Sequence, residues 1–103
     1  MKNTEEEIIE IAKKVMKDFR NEYYTEECID GLFYKEEQEI ISGKNEGKIF
    51  SAWVVSVYSF FDNIDFLCIS DDTGEPLYYQ NFNTIVLDIE KSPEGKFSRV
   101  DIE

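Results

Sequence analysis

The sequence predicts an α+β domain: one N-terminal helix packed on a mainly antiparallel sheet of four to six strands. Three observations carry this. Near the start, Ile8, Ile11, Ala12, Val15, Phe19 and Tyr23 recur at helical spacing. From Lys48 onward, short runs rich in β-branched and aromatic residues alternate with turn-forming clusters. The chain is 103 residues long, which fits a single domain over residues 1–103 with one core.

The helix is expected over Thr4 to Tyr24. Thr4 and Glu7 have capping-box spacing, and Glu5 and Glu6 suit the positive end of the helix dipole. Its polar face carries Glu10, Lys13, Lys14, Lys17 and Asp18. A single extra turn over Thr25 to Gly31 follows, stopped by Gly31. Residues 34–42 fit either state, because KEEQE holds good helix formers. The following Gly43 to Gly47 looks like a hairpin loop, so Glu36 to Ser42 is expected as a charged edge strand.

Lys48 to Tyr58 is the central strand. Ile49, Trp53, Val55 and Val57 share one face, and Phe50, Ala52, Val54 and Tyr58 share the other. Two apolar faces predict a strand covered on both sides, or covered on one and functional on the other. After a turn at Phe60 to Asn63, Ile64 to Ser70 forms the next strand. Asp72-Thr73-Gly74-Glu75 makes a tight turn in which Gly74 supplies positive φ. Leu77 to Phe82 and Ile85 to Glu90 are further strands. Ser92 to Gly95 turns the chain into a short last strand over Phe97 to Ile102.

Composition excludes several chemistries. The chain has no histidine, which removes the commonest general base and metal ligand. It has no phosphate-cradling glycine motif and no nucleophile elbow. Cys28 and Cys68 lie forty positions apart, lack CxxC spacing, and read as reduced packing residues. No catalytic residue and no cofactor are expected, so the chain is not read as an enzyme. The start of the sequence has no secretory pattern, and the longest apolar run, Ala52 to Phe61, is too short to span a bilayer. The expected location is the cytoplasm.

The 23 acids against 11 bases give a net charge of −12. This disfavours nucleic acid and anionic membrane as partners and favours a basic protein. Between Lys48 and Lys91 stand seven acids and no base: Asp62, Asp65, Asp71, Asp72, Glu75, Asp88 and Glu90. Several of these could bind calcium or magnesium through oxygen, but their spacing fits no EF-hand, and turn chemistry explains them better. No metal site is expected. Aromatics are also in surplus. Tyr78 and Tyr79 must point to opposite faces of a strand, so one of them is expected to face away from the helix. Exposed tyrosines make good binding anchors. The expected partner-binding set is therefore Asp62, Asp65, Asp71, Asp72 and Glu75 at the rim, with Tyr58, Tyr78 and Tyr79 as anchors.

The order of a helix, then Ala52-Trp53-Val54-Val55-Ser56-Val57, then a hairpin through Asp71-Asp72-Thr73-Gly74-Glu75 resembles small bacterial immunity proteins of polymorphic toxin and contact-dependent inhibition systems. The resemblance covers about residues 48–82. It implies a compact fold of the nuclear-transport-factor-like or PepSY-like kind. It also implies a cytoplasmic inhibitor that neutralises a cognate toxin, often a basic nuclease, by direct binding. Two alternatives stand beside it. One is a small-ligand or weakly catalytic pocket between helix and sheet. The other is a homodimer or oligomer in which a second copy buries the outer face of the central strand.

Overall fold

The computed structural model describes residues 2–41, 46–59 and 63–100. One helix, α1 (Glu5–Arg20), precedes six strands: β1 (Ile29–Glu39), β2 (Ile49–Tyr58), β3 (Ile64–Ser70), β4 (Pro76–Gln80), β5 (Val86–Lys91) and β6 (Phe97–Val100). Each strand pairs antiparallel with the next, giving one six-stranded meander in sequence order. The predicted α+β architecture is the observed one.

The start of α1 follows from its first residues. Thr4 Oγ1 accepts the Glu7 N–H at 3.2 Å, and Glu7 Oε1 accepts the Thr4 N–H at 2.9 Å. Two of the helix's orphan donors are thereby satisfied, a device worth about 1 kcal/mol. The helix stops sooner than its apolar spacing predicts. Asn21 adopts φ 52, a conformation that Asn tolerates better than most residues, and the chain leaves the helix axis there. The apolar stripe consequently ends at Phe19, and Tyr23 stands largely in solvent within a 3₁₀ turn, Asn21–Tyr23.

The next segment corrects two expectations. The extra turn is a short 3₁₀ piece, Glu26–Cys28, and Gly31 does not stop it but lies inside β1. The edge strand spans Ile29–Glu39, beginning earlier and ending sooner than expected. It takes β structure because it completes a ladder with β2, in which Leu32 faces Val55 and Tyr34 faces Trp53. That pairing across the 40–48 connection outweighs the helix-forming residues at its end. Part of that hairpin loop, and most of the β2–β3 turn, fall outside the described residues.

The main core lies between α1 and one face of the sheet. Ile8, Ala12, Val15 and Met16 of the helix pack on Trp53, Val55, Val57, Leu67, Ile69, Tyr79 and Leu87. Each large side chain there contributes about 1.5–3 kcal/mol by leaving water. The helix touches both terminal strands, β1 and β6, so the sheet curls around it. A second, smaller cluster sits on the outer face: Ile40, Ala52, Cys68 and Tyr78, flanked by Phe50, Leu77 and Val86. Ile40 reaches this face just beyond a register shift in β1 between Lys35 and Gln38.

Candidate functional site: the outer face of the sheet

The structure divides the residues expected to bind a partner. Asp71 and Asp65 lie at opposite ends of β3, about 20 Å apart by strand rise. Neither offers itself as a rim contact, since Asp71 is 2% exposed and Asp65 is 4% exposed. The Asp71 carboxylate accepts the Trp53 indole N–H at 2.9 Å and the backbone N–H groups of Lys2 and Asn3 at 2.7 and 3.0 Å. Burial pushes its pKa up, but the Trp53 and backbone donors outweigh that and hold the carboxyl below its ordinary value. Asp65 accepts the Tyr79 hydroxyl at 2.5 Å and the Phe82 N–H at 2.9 Å. Both acids are internal hydrogen-bond hubs.

Tyr78 and Tyr79 do point to opposite faces, yet both are buried. Tyr79 belongs to the helix-side core, where Phe19 meets its ring edge-on with centroids 5.6 Å apart. Burial, followed by its bond to Asp65, pushes the Tyr79 hydroxyl pKa upward. Tyr78 is covered on the outer face by the Ile40 cluster, and its hydroxyl accepts from Gln38 Nε2 at 3.0 Å. The expectation that one of the pair is an exposed anchor is therefore overturned, because residues 38–40 fold over that part of the sheet.

Asp72 and Glu75 are exposed at the β3–β4 turn, where Gly74 has φ 74 as expected. Asp72 forms an exposed ion pair with Lys2 at 3.1 Å. Tyr58 is 45% exposed at the far end of the sheet, and Arg20 of the helix holds its carbonyl at 2.8 Å. Asp62 lies outside the described residues. The predicted residues thus do not converge on one surface.

A different set does converge. In an antiparallel ladder, directly opposed residues share a face. Ser56, Phe66, Gln80 and Val86 form one cross-strand row on the outer face, with Gly31 beside Ser56 on β1. Phe33, Val54, Cys68, Tyr78 and Asp88 form the next. Tyr58 lies opposite Ile64 beyond the first row. Within this field Phe33 is 46% and Phe66 36% exposed, and Phe82 and Ile85 are exposed in the adjoining β4–β5 turn. One end of the outer face is covered by the Ile40 cluster, while the other presents aromatic surface to solvent. Phe66 lies in the predicted strand Ile64 to Ser70 without being singled out, and Phe33 lies outside the predicted strands. The signal for Phe33 was the period-2 pattern of a β1 that begins at Ile29, and for Phe66 the alternation within β3.

Charge is sorted between the two faces. Among the described strand residues, Lys35 is the one base on the outer face, and it lies over the Phe33 ring at 5.9 Å. Asp88 shares that face by its place opposite Tyr78, and Glu90 follows two residues on. On the helix side, Lys14 and Lys91 lie over Phe97, and Arg99 lies over Phe19 and Tyr79. Those cations are occupied by aromatic rings beside α1. Trp53 shares its buried cluster with Ile8, Ala12, Val15 and Met16 of the helix.

The two cysteines sit in different clusters, Cys28 under the helix and Cys68 on the outer face. Both are free thiols. Burial raises the Cys68 pKa to about 11, and burial raises that of Cys28 as well. No helix among the described residues is long and apolar enough to cross a membrane. No protein-family model matches the chain, and comparisons with curated proteins and with solved structures return no match.

Proposed function

We propose that this chain is an acidic protein-binding module that docks a basic partner, acting in the cytoplasm as an immunity protein that neutralises a toxin by direct contact. One observation carries the reading: the aromatic end of the outer sheet face, with Phe33, Tyr58 and Phe66 exposed together, on a molecule of net charge −12 whose described strand bases, apart from Lys35, lie elsewhere. Exposed aromatics on a rigid sheet supply contact area at low entropic cost. The surrounding negative potential steers a positively charged protein toward them and raises its association rate. The same charge opposes a second copy, since two chains of −12 repel each other. The weak likeness of residues 48–82 to immunity proteins points the same way.

The test uses the protein encoded beside this one as the partner. Binding is measured by calorimetry, and protection is measured by survival of cells that express the neighbour. Phe33→Ser combined with Phe66→Ser should weaken binding about 100-fold or more, as loss of two anchor residues does. The melting temperature should stay within a few degrees, because both side chains are substantially exposed. Equal binding by the variant and the parent would remove the outer face as the site. Absence of both binding and protection would remove the immunity reading.

A further inference from the structure

The two edges of the sheet are not equivalent. Among the described residues β6 spans Phe97–Val100, and its Phe97 N–H is already taken by the Asp18 carboxylate of the helix at 3.0 Å. Two ammonium groups, from Lys14 and Lys91, lie over the Phe97 ring. That edge is bonded and crowded at Phe97, which hinders strand addition there. β1 is eleven residues long, the longest strand in the sheet, and among the described residues it has a strand neighbour on one side only. Its register with β2 runs without a break from Gly31 to Lys35. A side chain added at Gly31 would meet nothing within 4 Å, so the outer face beside Ser56 is open at that end of β1.

Such an edge presents backbone donors and acceptors at every second residue, aimed away from β2. The side chains then select the occupant. Asp30, Glu36, Glu37 and Glu39 are all exposed along β1, against the single base Lys35. A second copy of β1 would bring its own four acids to this edge, whereas a basic segment would neutralise them. Phe33 stands exposed at the centre of the unbroken stretch, where alternate apolar residues of an added strand would extend the outer face.

We propose that the free edge of β1 takes up an extended, lysine- or arginine-rich segment of the partner protein as a seventh strand, centred on Gly31–Lys35. This rests on the basic-partner reading above and adds the mode of contact.

The probe is a capped octapeptide of alternating Lys and Val, added to the isotope-labelled full chain and followed by amide NMR. The expected result is shifts and slowed amide exchange concentrated in residues 31–35. Methylating alternate peptide nitrogens keeps the charge but removes the strand donors, and should weaken binding about tenfold. Reversing three exposed acids together, Glu36→Lys, Glu37→Lys and Glu39→Lys, should weaken it by about tenfold as well. Equal binding by the methylated peptide would overturn strand addition, as would shifts centred on Ser56, Phe66, Gln80 and Val86. Failure of the unmodified peptide to bind would overturn it too. These failures leave the basic-partner reading to stand or fall on the calorimetric test with the neighbouring protein.

Discussion

The Trp53 indole on β2 donates its N–H to the Asp71 carboxylate across 2.9 Å of buried interior. Because the same carboxylate also accepts from Lys2 and Asn3, one acid ties the N-terminal segment, the central strand and the β3–β4 turn together. Asn3 reinforces the link by donating its side-chain amide to the Asp71 carbonyl at 2.6 Å.

Removing that acid should be costly. Asp71→Ala strands a buried indole donor and loosens two backbone donors, so about 3 kcal/mol of stability should be lost. Asp71→Asn keeps an acceptor and should lose about half as much. Urea unfolding followed by Trp53 fluorescence measures both. A loss of about 0.5 kcal/mol or less, the range of ordinary surface substitutions, would contradict the role assigned to Asp71.

The same group predicts an acid-side instability. Its folded pKa is held below the ordinary aspartate value, so the deprotonated form is favoured by folding. The associated stability is fully present above the unfolded pKa, and it is lost as pH falls through the folded one. The melting temperature should therefore drop from about pH 4 downward, and the drop should be shallower in Asp71→Asn.

At the other end of β3, Tyr79→Phe removes the hydroxyl that Asp65 accepts at 2.5 Å. Asp65 keeps the Phe82 N–H as a donor, so the side chain is left partly unsatisfied. The expected cost is about 1–3 kcal/mol, or several degrees in melting temperature for a domain of this size. Thermal unfolding of the variant is the check. A parallel Tyr78→Phe loses a bond to Gln38 nearer the surface, and should cost about 1 kcal/mol or less.

Thiol chemistry provides an independent check on the two clusters. Cys28 and Cys68 are buried with raised pKa values, so both should resist an aromatic disulfide reagent at pH 8 in the native state and react on unfolding. Mild oxidation of the folded protein should not join them, because the sheet separates them. Rapid labelling of Cys68 in native protein would show that the Ile40 cluster does not cover the outer face.

Local features of the fold were legible along the chain. The Thr4–Glu7 capping box, the strand over Ile64 to Ser70 and the Gly74 turn are each written in a few neighbouring residues, and each occurs where expected. The β1 boundaries were not legible, because they are set by pairing with β2 across the intervening connection rather than by local propensity. The candidate site was the least legible part. Asp65, Asp71, Tyr78 and Tyr79 carry the residue types of a binding rim, yet the folded chain uses them internally.

The sequence by itself determined the class of the molecule: a capped amphipathic helix, a meander of antiparallel strands, and an excess of negative charge with no histidine. These follow from periodicity, turn chemistry and counting, all of which act within short range. Tertiary structure decided which acids and aromatics reach solvent. The sheet curls around α1 and draws Tyr79 and Asp65 inward, while Ile40 covers Tyr78 and the N-terminal segment closes over Asp71. A buried carboxylate requires donors, and here those donors come from residues 14 to 69 positions away. Phe33 and Phe66, rather than the paired tyrosines, are consequently the aromatics left exposed on the outer face.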